Sequence, residues 1–308
     1  MNPTNPPLRA SIAIVTYNGE DFVGPCLDSL GSGDIPPNEF EVIIIDNASV
    51  DETLAVVHAA RTKFPHLRVE RNDSNLGFAM AANQAADLAG APILIFLNQD
   101  TTVDPSWLRE LLLSIEPNSD IAASGSRVVQ GDGPGLYAAA LEVLYGGVCV
   151  IHEGNRRIDA VSGCAMAVRR PAFREVGGFA GDLFMYGEDL DLGYRLRSKG
   201  YRIAYAPRSV AHHFAIRRSR AASRTYMFYT ARNRVLVCLR NYPRKRLYLL
   251  ADVFVLFPLT SLTEVLRSVR RSQTLRWLLE ARIESLRTAK VWLRSGVGKI
   301  SGSPPAGL

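Results

Sequence analysis

Ala91-Pro-Ile-Leu-Ile-Phe-Leu-Asn-Gln-Asp100-Thr-Thr102 is the stretch on which the reading of this chain turns. Ile93 to Leu97 form an unbroken apolar run, rich in β-branched and aromatic residues, that ends abruptly on Asn98, Gln99 and Asp100. A short run without alternation fits a strand buried on both faces, inside a mostly parallel sheet. Open α/β sheets bind ligands beyond the carboxyl ends of their strands. A carboxylate there, with Thr101 and Thr102 beside it, can hold a hard divalent cation against a phosphate. The plainer alternative is that Asp100 starts a turn.

Length and composition set the frame. A chain of 308 residues with 47% hydrophobic content supports one large domain plus an appendage. Cys26, Cys149, Cys164 and Cys238 lie far apart with no Cys-x-x-Cys pair, which argues against a zinc knuckle or disulfide framework and suits a reducing compartment. Residues 1–10 are Pro- and Asn-rich, read as a disordered extension, and lack the apolar core of a signal peptide. The net charge of +6 hides a split: −10 through Pro207 and +16 from Arg208 onward. An acidic catalytic body with a basic tail facing a polyanion is the expectation.

Around the opening strand, buried runs alternate with helical spacing. Strands are expected at 11–17, 40–46, 67–70, 121–129, 161–168 and 201–205, the last stopping before Pro207. Helices are expected at 20–30, from Ser49 or Asp51 to Arg61, at 79–89, after the Asp104-Pro105 start, after Pro171, and from the Glu188-Asp189 segment. Gln130 to Arg157, rich in glycine, is expected to hold a hairpin and a mobile loop. The alternation implies an α/β half with a parallel sheet. Thr16, Asp46, Arg71 and Asp100 then fall on one rim. Asp191 and Arg195, four apart on a helix, read as an ion pair.

Beyond Phe214 the character changes. Leu247 to Leu266 is almost wholly apolar and long enough to span a bilayer. Asp252, Glu264 and Pro258 interrupt it, and an acidic residue near a helix centre disfavours insertion by about 2.5–3.5 kcal/mol. Arginines on both sides favour helices lying in an anionic membrane interface. A helical hairpin packed on the catalytic body is the alternative.

Several ordered motifs resemble the family 2 glycosyltransferases, in their bacterial rhamnosyltransferase-like branch. They are Val15-Thr-Tyr-Asn18, Ile45-Asp-Asn-Ala-Ser-Val-Asp51, Asn75-Leu-Gly-Phe-Ala79 with Asn83, Leu97-Asn-Gln-Asp100, Gly177-Gly-Phe179 and Gly187-Glu-Asp-Leu-Asp191. The resemblance implies a GT-A fold, Rossmann-like with a mostly parallel central sheet and helices on both faces. That domain would cover residues 11–214, followed by a basic helical region over 215–300 and a disordered tail over 301–308. It also implies a nucleotide-sugar donor (dTDP- or UDP-linked), a divalent cation (Mg or Mn) and inversion at the anomeric carbon.

Residue by residue, Asp46 matches the aspartate that accepts a hydrogen bond from uracil or thymine, and Thr16 would meet the base or ribose. Arg71 sits on the same rim. Asn75 and Gly77 resemble the turn that approaches the donor. Asp100 matches the last position of the metal motif Asp-x-Asp, whose first position is here Asn98. His212 matches a histidine that completes the metal shell in some relatives, with adjacent His213 leaving the choice open. Asp189 matches the catalytic base, Glu188 could orient the acceptor or exchange roles, and Gly178 and Phe179 would shape the sugar and acceptor pocket.

The leading expectation is therefore a glycosyltransferase moving a sugar, with rhamnose first in line, to a membrane-bound or polysaccharide glycan in cell-envelope synthesis. It would be cytoplasmic and peripheral on the inner membrane face, without a nucleic-acid partner. Two rivals remain: a sugar-nucleotide pyrophosphorylase, whose triphosphate loop Tyr17-Asn-Gly-Glu20 does not resemble, and a non-catalytic basic membrane-binding module.

Overall fold

The structure, a computed structural model, describes residues 7–131, 135–143, 149–153, 157–214, 224–241 and 271–295. The expectations for 247–266 and 301–308 lie outside them. The first half alternates β1 (Ala10–Thr16), α1 (Glu20–Gly31), β2 (Phe40–Asp46), α2 (Thr53–Ala59), β3 (Leu67–Arg71), α3 (Phe78–Leu88), β4 (Ile93–Leu97), β5 (Thr101–Val103) and α4 (Trp107–Ile115). Next come β6 (Ile121–Gln130), β7 (Leu136–Ala138), β8 (Ala140–Val143), β9 (Cys149–His152), β10 (Ala160–Val161), β11 (Ala165–Arg169) and α5 (Arg170–Glu175). The last described elements are α6 (Glu188–Ser198), β12 (Arg202–His213), α7 (Arg224–Asn241) and α8 (Arg271–Ser295).

The main sheet has the order β3-β2-β1-β4-β11-β6-β12-β5, with β7 on β6, and a smaller sheet has the order β10-β8-β9. Strands β1 to β4 are parallel, and β11 inserts antiparallel between β4 and β6. The opening run behaves as its composition dictates. Ile93, Ile95 and Leu97 pack on one face with α1, α2 and α4, while Leu94 and Phe96 pack on the other with α3, α5 and α6. Each such side chain, fully buried, contributes about 1.5–3 kcal/mol. The face of α3 against the sheet is alanine only (Ala79, Ala82, Ala85, Ala86), which lets the helix lie close to the strands.

Three differences from expectation have physical causes. Ala10 is a fully buried strand residue and Arg9 N–H bonds Glu39 O at 2.8 Å, so the extension expected over 1–10 stops short of them. The single strand expected over 161–168 is broken at Ser162-Gly163-Cys164, where the chain leaves the small sheet and enters the main one. Strand β12 does not stop at Pro207 but continues to His213. A register shift between Ala206 and Val210 marks a bulge, the place where a strand tolerates a proline without a ladder N–H. Beyond these, α7, part of the basic helical appendage expected over 215–300, packs onto the catalytic body. Met227, Phe228, Tyr229, Val235, Leu236 and Val237 are buried, some against α6 and the segment before it.

Candidate active site

Register builds the site. Thr16 pairs with Asp46 and Asp46 with Arg71, so three polar residues meet at the carboxyl edge of β1, β2 and β3. Their side chains bond one another. Thr16 Oγ1 donates to Asp46 Oδ1 at 2.9 Å, Ser49 Oγ donates to the same oxygen at 2.5 Å, and Ser49 N–H donates to Oδ2 at 3.0 Å. Arg71 Nε stands 3.6 Å from Oδ2. Thr16 and Asp46 are fully buried, and neither they nor Arg71 line the cavity. Together they form a hub at the rim beside the cavity. Strand residues alternate in direction, so the neighbours Val15 and Tyr17 face the cavity, joined by Asn47.

That cavity measures about 590 Å³. At one end Asn47, Asn75 and Gln99 line it with Tyr17. Gln99 clamps Tyr17 through both backbone groups, accepting from its N–H and donating to its carbonyl, each at 3.1 Å. Asn75 Oδ1 accepts from Gly77 N–H at 2.9 Å. Gly77 itself is outside the lining. Its φ of 81° is one that L side chains rarely adopt, and an added Cβ would stand 2.5 Å from the Phe184 ring. Its close approach in this structure is to Phe184.

Asp100 and Asn98 line the same cavity. His213 Nε2 lies 3.2 Å from Asp100 Oδ1 and 3.2 Å from Asn98 Nδ2. His212 instead bonds Asp104 Oδ1 at 2.9 Å and Gly131 O at 3.2 Å. On a strand, consecutive side chains take opposite faces, so only one of the two histidines could face Asp100. Of the two candidates left open by the sequence, His213, a fully buried residue paired in register with Thr101, is the one beside Asp100. Among the described residues no three His, Cys, Asp or Glu side chains cluster as a complete metal set. Carboxylate and imidazole fit part of a divalent-cation shell, with phosphate oxygens free to supply the rest.

Glu188 and Asp189 open α6 and line the cavity too. Asp189 Oδ2 accepts from Gly163 N–H at 3.0 Å and Oδ1 from Leu190 N–H at 2.8 Å. Burial raises the Asp189 pKa, and those two amides oppose the shift. Glu188 is pushed up to about 8, first by burial and then by the charges of Asp189 and Asp191. Its Oε2 is buried without a hydrogen-bond partner. The strand break links the two ends of the site: Cys164 O accepts from Asn98 N–H at 2.9 Å, while Gly163 N–H holds Asp189. Asp191 bonds Arg195 at 2.7 Å as expected, and also Asn241.

Gly178 and Phe179 lie behind the cavity lining. Phe179 is 2% exposed, between Phe96, Phe173 and Phe78 in the core under α3. Asn83 holds its amide and carbonyl at 2.8 and 2.9 Å. An added Cβ at Gly178 would stand 2.7 Å from Asn83 Oδ1, so the Gly-Gly-Phe motif is a packing device. The wall beyond Asp189 comes from Ala138, Leu141 and Ile151 near the small sheet and from Tyr186, Tyr226 and Thr230. Sequence reading missed these, along with Asn47 and Gln99, because they come from six separated segments.

A parallel half-sheet with a cavity at its carboxyl edge and paired carboxylates on the far side defines a GT-A glycosyltransferase. Residues 11–177 match the model of Glycosyl transferase family 2, and the chain belongs to that family. Residues 149–229 match the model described as N-terminal domain of galactosyltransferase. The N-acetylglucosaminyl-diphospho-decaprenol L-rhamnosyltransferase of Mycobacterium tuberculosis is 29% identical over 238 residues, 66% of this chain and 76% of that protein. The poly(ribitol-phosphate) beta-N-acetylglucosaminyltransferase TarS of Staphylococcus aureus is 30% identical over 128 residues, 41% of this chain and 22% of that longer protein.

Among solved structures, GalNAc-T7 with UDP, GalNAc and Mn2+ superposes with a TM-score of 0.64 at 19% identity, covering 78% of this chain and 49% of that one. Residues 1–349 of S. aureus TarS give 0.58 at 19% identity, covering 96% and 98%. Family membership makes the chain an enzyme and sets aside the pyrophosphorylase and the non-catalytic module.

Proposed function

We propose that the protein is an inverting, metal-dependent glycosyltransferase that moves a sugar from a UDP- or dTDP-linked donor to a lipid-linked or polysaccharide glycan of the cell envelope. The observation that carries this is the meeting of Asp100 and Asp189 on one cavity, bridged through Gly163 and Cys164, with buried His213 3.2 Å behind Asp100. Asn47, Asn75 and Gln99 line the end of the cavity assigned to the nucleoside. Asp100 and His213 would hold the cation, Mg or Mn, which when bound neutralises charge on the leaving diphosphate. Asp189 takes the proton of the acceptor hydroxyl as it attacks, and its raised pKa brings it nearer the operating pH of a general base. A direct displacement needs this single base and inverts the anomeric carbon. Glu188 is held close to neutral by its burial and orients the acceptor. Rhamnose is the first donor sugar to test, following the mycobacterial relative, which spans two thirds of the chain.

The acceptor wall of Leu141, Ile151, Tyr186 and Tyr226 suits a sugar carried on an apolar lipid. A membrane location, on the inner face, is supported by α8. Leu275, Leu279, Ile283 and Leu286 form an exposed stripe at helical spacing beside Arg276, Arg287 and Lys290. No described helix is long and apolar enough to cross a membrane. The test is a binding screen of dTDP-rhamnose, UDP-galactose, UDP-galactofuranose and UDP-GlcNAc with Mg2+ or Mn2+, then transfer to a polyprenyl-diphospho-N-acetylglucosamine. Metal-dependent binding of one donor and a product of inverted configuration is expected. Binding of none, or a retained configuration, overturns the proposal.

A further inference from the structure

The segment Leu183–Gly187 leads straight into Glu188 and Asp189, and its backbone is strained. Phe184 has φ 65° and ψ −66°, with Met185 N–H donating to Leu183 O at 2.8 Å. That is a γ-turn of the rare, disfavoured hand. Tyr186 follows at φ 66° and Gly187 at φ 88°. Non-glycine residues at positive φ persist only where their surroundings over-determine them, and they cluster at functional sites.

One buried side chain of α7 gathers this segment. Asn233 Nδ2 lies within hydrogen-bond distance of three carbonyls, Leu183 O at 2.7 Å, Met185 O at 2.8 Å and Tyr186 O at 2.7 Å, which share its two N–H donors. Its orientation is fixed from behind, because Arg232 Nη1 donates to Asn233 Oδ1 at 2.8 Å and to Asp182 O at 3.0 Å. Asn233 is 1% exposed, and an added Cβ on Gly187 would stand 3.6 Å from its own Cβ. Phe184 is also held, stacked on Tyr229 with ring centroids 5.0 Å apart. Tyr226, Thr230 and Asn233 follow the i, i+4, i+7 spacing of one helix face, and the first two line the cavity.

We infer that Asn233 is a positioning residue for the transfer reaction: by holding the carbonyls of residues 183, 185 and 186 it fixes where Asp189 enters the cavity. This rests on the reading of Asp189 as the base. It also makes α7, which begins well past the last residue of the family 2 match, part of the catalytic apparatus. Without the amide donors the three carbonyls lose their common partner and the γ-turn can relax. Asp189 then shifts from line with the acceptor hydroxyl, and a misplacement of about 1 Å can cost on the order of a hundredfold in rate.

The test compares Asn233→Asp, Asn233→Ser and Val237→Ala in the full chain, with Asp189→Asn as reference, using the donor selected by the screen above. Val237 packs beside Gly187 but makes no bond to the segment's carbonyls, so it controls for loosened packing. Turnover is expressed per folded molecule, counted by nucleotide-binding stoichiometry. Asn233→Asp is expected to lose about a hundredfold in kcat with donor KM unchanged. Asn233→Ser should fall between, and it carries the test if the aspartate variant does not fold. Wild-type kcat in the Asn233 variants, or an equal loss in Val237→Ala, overturns the proposal while Asp189→Asn stays inactive. An active Asp189→Asn would instead overturn the base assignment.

Discussion

His213 Nε2 stands 3.2 Å from Asp100 Oδ1, while the adjacent His212 turns away to Asp104. The two histidines have different tasks, and substitution separates them. His213→Ala should weaken Mn2+-dependent nucleotide binding at least tenfold, the low end of what even an indirect metal partner is worth, about 10–100-fold. His212→Ala should leave it unchanged. Calorimetric titration of UDP and dTDP with and without the metal checks this, and equal losses would dissolve the distinction. Asp100→Ala and chelation should both abolish the metal-dependent part.

Asp189→Asn should lower transfer by about 10²–10⁴ while donor affinity stays near that of the wild type, the signature of a lost general base. Near-normal turnover in that variant, with Glu188→Gln inactive, would move the role to Glu188.

The raised pKa of Glu188 also links to stability. Its folded pKa lies near 8 and its usual one near 4.5, so burial favours the protonated form. The associated stability is complete below about pH 4.5 and is lost as the pH rises through about 8. Thermal melts should show a wild-type Tm declining across this window more than that of Glu188→Gln, which cannot ionise there. Parallel curves would show that Glu188 titrates alike in the folded and unfolded chain.

Asp46→Ala should unfold more than it unbinds. It strips the Thr16 hydroxyl, the Ser49 hydroxyl and the Ser49 amide of a shared acceptor inside the core, and each buried orphan costs about 1–3 kcal/mol. Asn47→Ala removes a cavity wall with bonds to Gly77 O and from Asn72, so it should weaken nucleotide binding at a smaller cost in stability than Asp46→Ala. Melting and nucleotide titration of both variants decide this, and an Asp46→Ala that melts normally but fails to bind would assign the base contact to Asp46.

Much of the fold was legible because its signals are local. The run 93–97 could only be a strand buried twice, and the aspartates after β2 and β4 placed the rim. Asp100 and Asp189 both line the cavity, the first just after a strongly patterned strand and the second in the Gly187-Glu-Asp motif at the start of α6. What was not legible depends on direction or on distant packing. Thr16 and Asp46 are at the right edge but point into the core, a one-residue matter of strand phase. The choice between His212 and His213 required knowing that β12 runs through Pro207 on a bulge. Phe179 lies behind the cavity lining, and only the aromatic cluster with Phe96 and Phe173 shows it as core. Asn233 carried no sequence signal beyond an asparagine in an apolar helix.

The exposed stripe of α8 carries the last prediction. Leu278, Ala281 and Ser285 face inward, which leaves Leu275, Leu279, Ile283 and Leu286 at 41–52% exposure on another side. If that side rests in a membrane, about half of each side chain is still to be buried, on the order of 1 kcal/mol apiece. The double variant Leu279→Ser/Ile283→Ser should therefore weaken partitioning roughly thirtyfold, since about 1.4 kcal/mol is tenfold. The flanking Arg276, Arg287 and Lys290 should make binding depend on anionic lipid and decline with salt, as headgroup attraction is screened within about 10 Å at 0.1 M. Flotation with phosphatidylglycerol and with phosphatidylcholine vesicles, at low and high salt, reads both effects. Since the substituted side chains lie away from α7, the double variant should keep wild-type donor binding and melting. Equal flotation of the two proteins, or none with either vesicle, would detach α8 from any membrane role.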